Sequence, residues 1–541
     1  MHGTYLLAHM HNSRIFLFLY KIPIPSPLKN NLKQLIFKSP TRYLFWILLA
    51  FLFKGVIPLM QLFLAHRSNS DLLSLGFVGD SPSYTDPVEN FLTTGHYSPD
   101  RRLPGFGIIY LIFRLLFSYT TTYDTIVIIQ LVVSSVSVYC LALLARLVLK
   151  SDRPFYLTFY MFLTSNYSNY YDICLMTESL SSSFLIFGTW YFALYFQAGK
   201  SKLKYLLFSG IFLTWTFFLR PVFVLVLPIY GIILLLYSFK NKVRFIRPMF
   251  IYALAFIVID GAWIIRNYKV HNKFIPLSNN FYYPYVEGSY MGHMQSFVQT
   301  WGGAIDLPDP HSAFSWFGGI LFPGEPDAST YKHDSIPGYV YTSAFNKDSL
   351  YKLRKEVKIF IAMQKPAVDS FYVSKDSDWN TAFSILYQPL KPVSPQAAAL
   401  QNEIDNTFDR YTNSIKKEHP FLYYVRSRIT LLRKFLFENN EAFLTRGQIP
   451  GMKKLLSLFF HAYYYFILFL GIAGIVTLTW KGLRYNLLLL LLCIIPAYTI
   501  LIHPFLRSAD NRYLLPAWPF LIACSAYFIL TVYSKFFPVK S

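Results

Sequence analysis

The stretch GDSPSYTDPVENFLTTGHYSPDRRLP, residues Gly79–Pro104, is the first long polar segment after an apolar helix. It carries Asp80, Asp86, Glu89, Arg101 and Arg102, with an apolar run near Tyr43–Ala65 before it and another at Leu103–Phe117 after it. Moving charge toward hydrocarbon costs kilocalories that packing alone does not require. A chain that sets carboxylates and paired arginines beside its first apolar helix and then returns to lipid reads as one with chemistry at the water–bilayer boundary. The competing reading is a solvated loop whose charges do nothing.

Composition points to the same setting. Of 541 residues, 54% are hydrophobic and only 14% charged, against roughly 25% charged in a soluble domain. Aromatics reach 19%, with 42 Tyr and 52 Phe, which suits long bilayer boundaries where amphipathic rings sit among headgroups. The net charge of +22 raises nucleic acid as a partner. The lysines and arginines, however, fall in short segments between apolar runs, where they orient spans and meet anionic lipid. Cys140, Cys174, Cys493 and Cys524 lie in or beside apolar runs without a CxxC pair, so neither a disulfide framework nor a cysteine metal site is expected. Met1–Tyr20 has no small-residue cleavage site, and the first span reads as an uncleaved anchor.

Taken in order, residues 1–42 form a basic cytoplasmic segment, and 43–266 an N-terminal membrane module whose first outer loop is 66–122. Spans are expected at about Tyr43–Ala65, Tyr123–Leu149, Phe155–Asn169, Leu180–Phe196, a hairpin Tyr205–Phe239 turning at Arg220-Pro221, and Met249–Ile265. Lys54 falls inside the first of these, most simply as a side chain turned into the bundle, with a phosphate contact as the alternative. Residues 267–454 are polar and too long for a simple connection, which predicts a small extracytoplasmic domain. The C-terminal part, 455–541, carries spans near Leu455–Trp480, Tyr485–Ile502 and Tyr513–Tyr533. The expected fold is an all-α polytopic membrane protein of about ten transmembrane helices, with lysine- and arginine-rich loops and both termini cytoplasmic. His293, His311 and His333 are too scattered for a zinc site and read as solvated loop residues; the run Phe281–Tyr285 fits a sugar-stacking surface or simple packing.

With that orientation Asp80, Arg101, Arg102, Asp172, Glu178, Arg220, Arg266, Arg507, Asp510 and Arg512 all fall on the outer face. Guanidinium groups grip oxyanions through two parallel hydrogen bonds and keep their charge, and a carboxylate beside a hydroxyl can act as general base. The residues alone therefore indicate phosphate-linked chemistry at the extracytoplasmic surface. Asp80 has a second reading as a helix N-cap, Arg102 as a snorkelling interfacial arginine, Glu178 as a helix-capping residue at a span entry, and Arg220, Arg266 and Arg512 as pins at helix ends that pair with Asp510 or backbone carbonyls.

The series GDSPSY, Arg102-Leu103-Pro104-Gly105, Met176-Thr177-Glu178, Leu219-Arg220-Pro221, WIIRNY at Trp263–Tyr268 and DNRYLLP at Asp510–Pro516 resembles the GT-C glycosyltransferases, which include protein O-mannosyltransferases and lipid A aminoarabinose transferases. The resemblance implies a GT-C-type helical bundle and a polyprenyl-phosphate sugar donor. It also implies inverting transfer to an acceptor hydroxyl on protein, lipid or glycan. Carried over by position, Asp80 would be the general base, and Arg102, with Arg101, Arg266 and Arg512, would hold the donor phosphate. Glu178, Asp172 and Tyr84 would contact the acceptor or a cation. The family often has two adjacent acids in its first loop, whereas Ser81 follows Asp80 here. That weakens a paired-carboxylate metal site, and a divalent cation remains the one cofactor to consider. Some members carry lysine where this chain has Arg102. The implied location is a bacterial inner (plasma) membrane. A flippase for a lipid-linked saccharide, an O-antigen-type polymerase or ligase, and a membrane scaffold are the alternatives.

Overall fold

The computed structural model describes residues 41–64, 80–97, 102–198, 202–241, 244–277, 291–302, 338–371, 392–437, 450–506 and 510–536. Residues 1–40, Arg101, Arg507, His311, His333 and the run Phe281–Tyr285 lie outside them. The described residues are helical, and there is no strand among them.

The helices in chain order are α1 (Thr41–Leu64), α2 (Pro82–Thr94), α3 (Gly105–Arg114), α4 (Tyr119–Leu149), α5 (Arg153–Leu163), α6 (Glu178–Ala198), α7 (Lys204–Leu219), α8 (Val226–Lys240) and α9 (Ile246–His271). They are followed by α10 (Met291–Val298), α11 (Lys347–Phe371), α12 (Pro395–Glu418), α13 (Ser427–Phe437), α14 (Pro450–Arg484), α15 (Leu490–Leu506) and α16 (Trp518–Phe536). Among the described residues, six segments are long and apolar enough to cross a bilayer: Tyr119–Leu149, Pro221–Lys240, Ile246–His271, Ser457–Arg484, Leu487–Leu506 and Asn511–Phe536. At 1.5 Å per residue a 20-residue helix covers about 30 Å, the thickness of the hydrocarbon. The chain is an integral, multi-pass membrane protein.

α6 packs along α7, α14 along α16, and α4 against α1, α5 and α6. This gives one apolar core that includes Phe159, Phe192, Phe217, Tyr230, Leu491 and Trp518. Away from it, α10, α11 and α12 enclose a small core of their own. Ile404, Phe408, Tyr411 and Ile415 recur at three- and four-residue steps along α12 and are buried, and Phe297 and Phe345 close on Tyr411. Ser394 caps α12 by accepting from the Ala397 N–H at 3.1 Å.

One span departs from its sequence reading. The apolar run from Phe155 was expected to continue to Asn169, but α5 ends at Leu163 after 11 residues, about 16 Å and too short to cross alone. Residues Ser165–Glu178 then run through short turns inside the bundle. Asp172 and Glu178, read from the sequence as outer-face residues, are buried here together with Asn169 and Thr177. The physical reason is Lys54. Its ammonium, on α1, is buried and donates to Asp172 Oδ2 at 2.6 Å, Asn169 Oδ1 at 2.8 Å and Ser134 Oγ at 2.8 Å. A cation in that setting holds its counter-ion tightly, because separating the two strands a desolvated charge. Gln130 adds bonds from its Nε2 to the carbonyls of Asp172 and Cys174, at 3.2 and 2.7 Å.

Candidate functional site

Residues 80–84 begin α2. The Asp80 carbonyl accepts from the Ser83 N–H at 3.1 Å, so the backbone of Asp80 starts the helix. Its carboxylate is left for other partners, and the cap reading does not describe the side chain. Asp80 Oδ2 accepts from Arg512 Nη1 at 3.0 Å, and Oδ1 lies 3.7 Å from Arg102 Nη2. Asp510 anchors Arg512 from the same turn: it accepts from the Arg512 backbone N–H at 2.8 Å and from Nε at 2.6 Å. One edge of the Arg512 guanidinium is thus fixed by its own turn while the other meets Asp80.

Arg102 is fixed by Tyr84. Its Nη1 donates to the Tyr84 hydroxyl at 2.7 Å, and its guanidinium carbon sits 4.4 Å from the ring centroid. The Tyr84 hydroxyl also meets Thr177 Oγ1 at 3.4 Å, which ties α2 to the entry of α6. The glycine in Arg102-Leu103-Pro104-Gly105 has a steric role. A Cβ at Gly105 would lie 2.6 Å from the carbonyl carbon and oxygen of Phe218. Only a residue without one lets α3 start against the end of α7, which is where Arg220 follows.

Arg220, extended before Pro221, is buried and reaches Glu178 Oε1 at 2.6 Å as an ion pair. Its guanidinium stacks on Tyr513, 4.6 Å from the ring centroid. Three carboxylates (Asp80, Glu178, Asp510) therefore face three guanidinium groups (Arg102, Arg220, Arg512), drawn from five segments far apart in sequence. Burial pushes the Asp80 carboxyl up, but Arg512, Arg102 and Arg220 together outweigh it and hold it below the ordinary carboxylate value. The outer members of the cluster remain open to solvent: the side chains of Asp80, Arg102 and Arg512 are 38%, 37% and 26% exposed. The Glu178–Arg220 pair behind them is closed off.

The sequence-predicted residues divide accordingly. Asp80, Arg102, Arg512 and Tyr84 meet in one cluster. Glu178 touches its rear wall through Arg220 and is buried, so as arranged it orders the arginine and does not face an acceptor. Asp172 is engaged on both oxygens, by Lys54 and by the Ser179 hydroxyl at 2.6 Å, and belongs to the support beneath. Arg266 belongs to a neighbouring contact: it donates to the Tyr97 carbonyl at 3.0 Å and to Asn267 Oδ1 at 3.0 Å, and it lies over Trp263. Arg101 lies outside the described residues. Sequence reasoning missed Tyr513 as the ring under Arg220 and Arg220 as the partner of Glu178. The DNRYLLP motif named the right segment but carried no sign of which residue its tyrosine would face.

His293, expected as a solvated loop residue, is partly exposed but lies on α10, where its Nδ1 meets Asp409 Oδ1 of α12 at 2.8 Å. A divalent cation does not fit the cluster as arranged. Both Asp80 oxygens are turned to guanidinium groups, and among the described residues no three His, Cys, Asp or Glu side chains gather into a metal-holding group. No protein-family model, no curated protein and no solved structure matches this chain. The reading of the site therefore rests on its own geometry.

Proposed function

We propose that the protein is a GT-C-type glycosyltransferase. In this reading it moves a sugar, with inversion, from a polyprenyl-phosphate donor to an acceptor hydroxyl on the extracytoplasmic face. The observation that carries the reading is the solvent-open carboxylate of Asp80 held between Arg102 and Arg512, at the start of Asn511–Phe536, a segment able to span a membrane.

The charge balance of the reaction suits that arrangement. Asp80 takes the proton of the acceptor hydroxyl as the oxygen bonds to the anomeric carbon, and the bond from that carbon to the phosphate oxygen breaks. The carboxylate loses one negative charge while the leaving phosphate gains one. If the same two guanidinium groups meet both anions, the total charge they face stays constant, and their attraction moves from carboxylate to phosphate as the transition state forms. Arg512 is well suited because Asp510 fixes it from behind. Arg102 is well suited because Tyr84 sets the plane of its guanidinium. In the free protein Asp80 occupies the place on the arginines that the donor phosphate would share.

The test is transfer by purified protein in lipid, supplied with a polyprenyl-phosphate sugar. Asp80→Asn is expected to insert and fold normally but to lose turnover; retained turnover would remove Asp80 from the base role. Deleting the protein and identifying by mass spectrometry which glycan is lost would name the sugar and the acceptor.

A further inference from the structure

We infer that the segment Phe421–Phe437, a turn leading into α13, is an interfacial helix. It lies flat along the rim of the bundle on the Asp80 side, with its exposed stripe seated in the lipid headgroup layer. The inference does not depend on the reaction proposed above.

The first observation is where the helix is pinned. Near its start, Arg428 Nη1 donates to the carbonyls of Pro504 and Phe505 at 2.7 and 3.2 Å, at the C-terminal end of α15. At its far end the hydroxyls of Tyr464 and Tyr465, on α14, donate to the carbonyls of Leu436 and Phe437, each at 3.0 Å. α14 and the segment beginning at Leu487 are joined by a short turn after Arg484, so both leave from the same level. At 1.5 Å per residue, Tyr464 stands about 30 Å from that level along α14, and Pro504 about 26 Å along the other arm. Each distance is close to one hydrocarbon thickness. The two ends of α13 are therefore tied to two membrane-crossing helices at nearly the same height, at the boundary. The 11-residue helix between them must run roughly parallel to the membrane plane.

The second observation is what the helix exposes. Phe421, Val425, Ile429, Arg433 and Phe437 follow one another at four-residue steps and are all exposed. The apolar members show 68, 40, 61 and 38% of their surface, respectively. Leu431, Phe435 and Leu436 point the other way and are buried, and Phe435 stacks on the buried ring of His503. The stripe is continuous with lipid-facing surface. Phe437 packs against the exposed Phe469 one turn deeper on α14, and the Arg428 guanidinium lies over the exposed Phe505. The segment also carries Arg426, Arg428, Arg433 and Lys434 and no acid. An apolar stripe with cations along it, at headgroup height, is the composition of a helix that rests in the boundary layer.

The experiment uses the full chain with Cys140 replaced by Ser, since the other cysteines are buried. It is spin-labelled singly at Val425→Cys or Ile429→Cys and reconstituted in vesicles of phosphatidylethanolamine and phosphatidylglycerol. Asn402→Cys, exposed on α12, is the aqueous reference, and Leu501→Cys on α15 is the hydrocarbon reference. Collision with oxygen relative to a water-soluble nickel complex should be several-fold higher at 425 and 429 than at 402, and lower than at 501. Nickel accessibility equal to that at 402 would make the stripe a solvated face. Shielding from both reagents would mean protein, such as a second copy of the chain, covers it. Either result overturns the inference, and two independent positions guard against one label disturbing the helix.

Discussion

Asp80→Asn separates the two jobs the site would give one carboxylate. The substitution keeps the size of the side chain and one oxygen acceptor for Arg512, now 3.0 Å away. It removes the negative charge and the capacity to take a proton. Loss of a positioned general base lowers kcat by about 10²–10⁴-fold. The same change relieves repulsion between Asp80 and a phosphate bound to the same guanidinium groups. Two unit charges about 4 Å apart interact by about 4 kcal/mol at an effective dielectric near 20. Asp80 is 38% exposed, and solvent reduces such surface interactions to about 1 kcal/mol or less. Donor affinity should therefore stay level or tighten by up to about fivefold. The assay is steady-state transfer from a polyprenyl-phosphate sugar, with donor binding measured separately by titration. A collapse of kcat with unchanged or tighter donor binding is expected. Weaker donor binding with intact kcat would refute the reasoning, because it would make Asp80 a structural strut for the arginines.

Arg102→Ala should raise the donor requirement more than the acceptor requirement, since it removes a phosphate contact; an effect confined to acceptor kinetics would count against the assignment. Because Arg512, Arg102 and Arg220 hold the Asp80 carboxyl below its ordinary value of 3.8 despite burial, the base is already ionised above that value. Its contribution to stability is present there too, and is lost as pH falls through the depressed pKa. The kcat/KM profile should accordingly show no acid limb from Asp80 above about pH 5, and a limb in that range that moves in Asp80→Glu would contradict this. Lys54→Met should destabilise the folded protein by about 3–5 kcal/mol by stranding Asp172, and Lys54→Met/Asp172→Leu should recover most of the loss. Thermal unfolding in detergent reads this out, and a double variant no more stable than the single one would refute the pairing.

The helical elements were legible because their causes are local. Tyr123–Leu149 and Met249–Ile265 read as spans, and the helices found, Tyr119–Leu149 and Ile246–His271, run up to six residues beyond those bounds. Periodicity failed at Phe155–Asn169, where the apolar run has the composition of a span but the chain breaks at Leu163 to bring Asn169 and Asp172 to Lys54. Nothing near Asp172 announces a cation more than a hundred residues earlier. The same limit governs the site. The acid and arginine positions could be named from motifs and sidedness, and Asp80, Arg102 and Arg512 do meet. That Glu178 would be consumed by Arg220, and Asp172 by Lys54, could not be named.

By itself the sequence determined that this chain enters a membrane many times as helices, because hydrocarbon leaves a backbone no other way to satisfy its polar groups over such lengths. It also determined which segments carry the charges. Apart from local pairs such as that of Asp510 with Arg512, which charge meets which was decided only by the tertiary structure. Pairing buried ions depends on approaches of a few ångströms between segments distant in sequence, such as Lys54 and Asp172, and on close helix contacts such as that of α3 with α7 at Gly105. Those distances are set by packing, which no local pattern records.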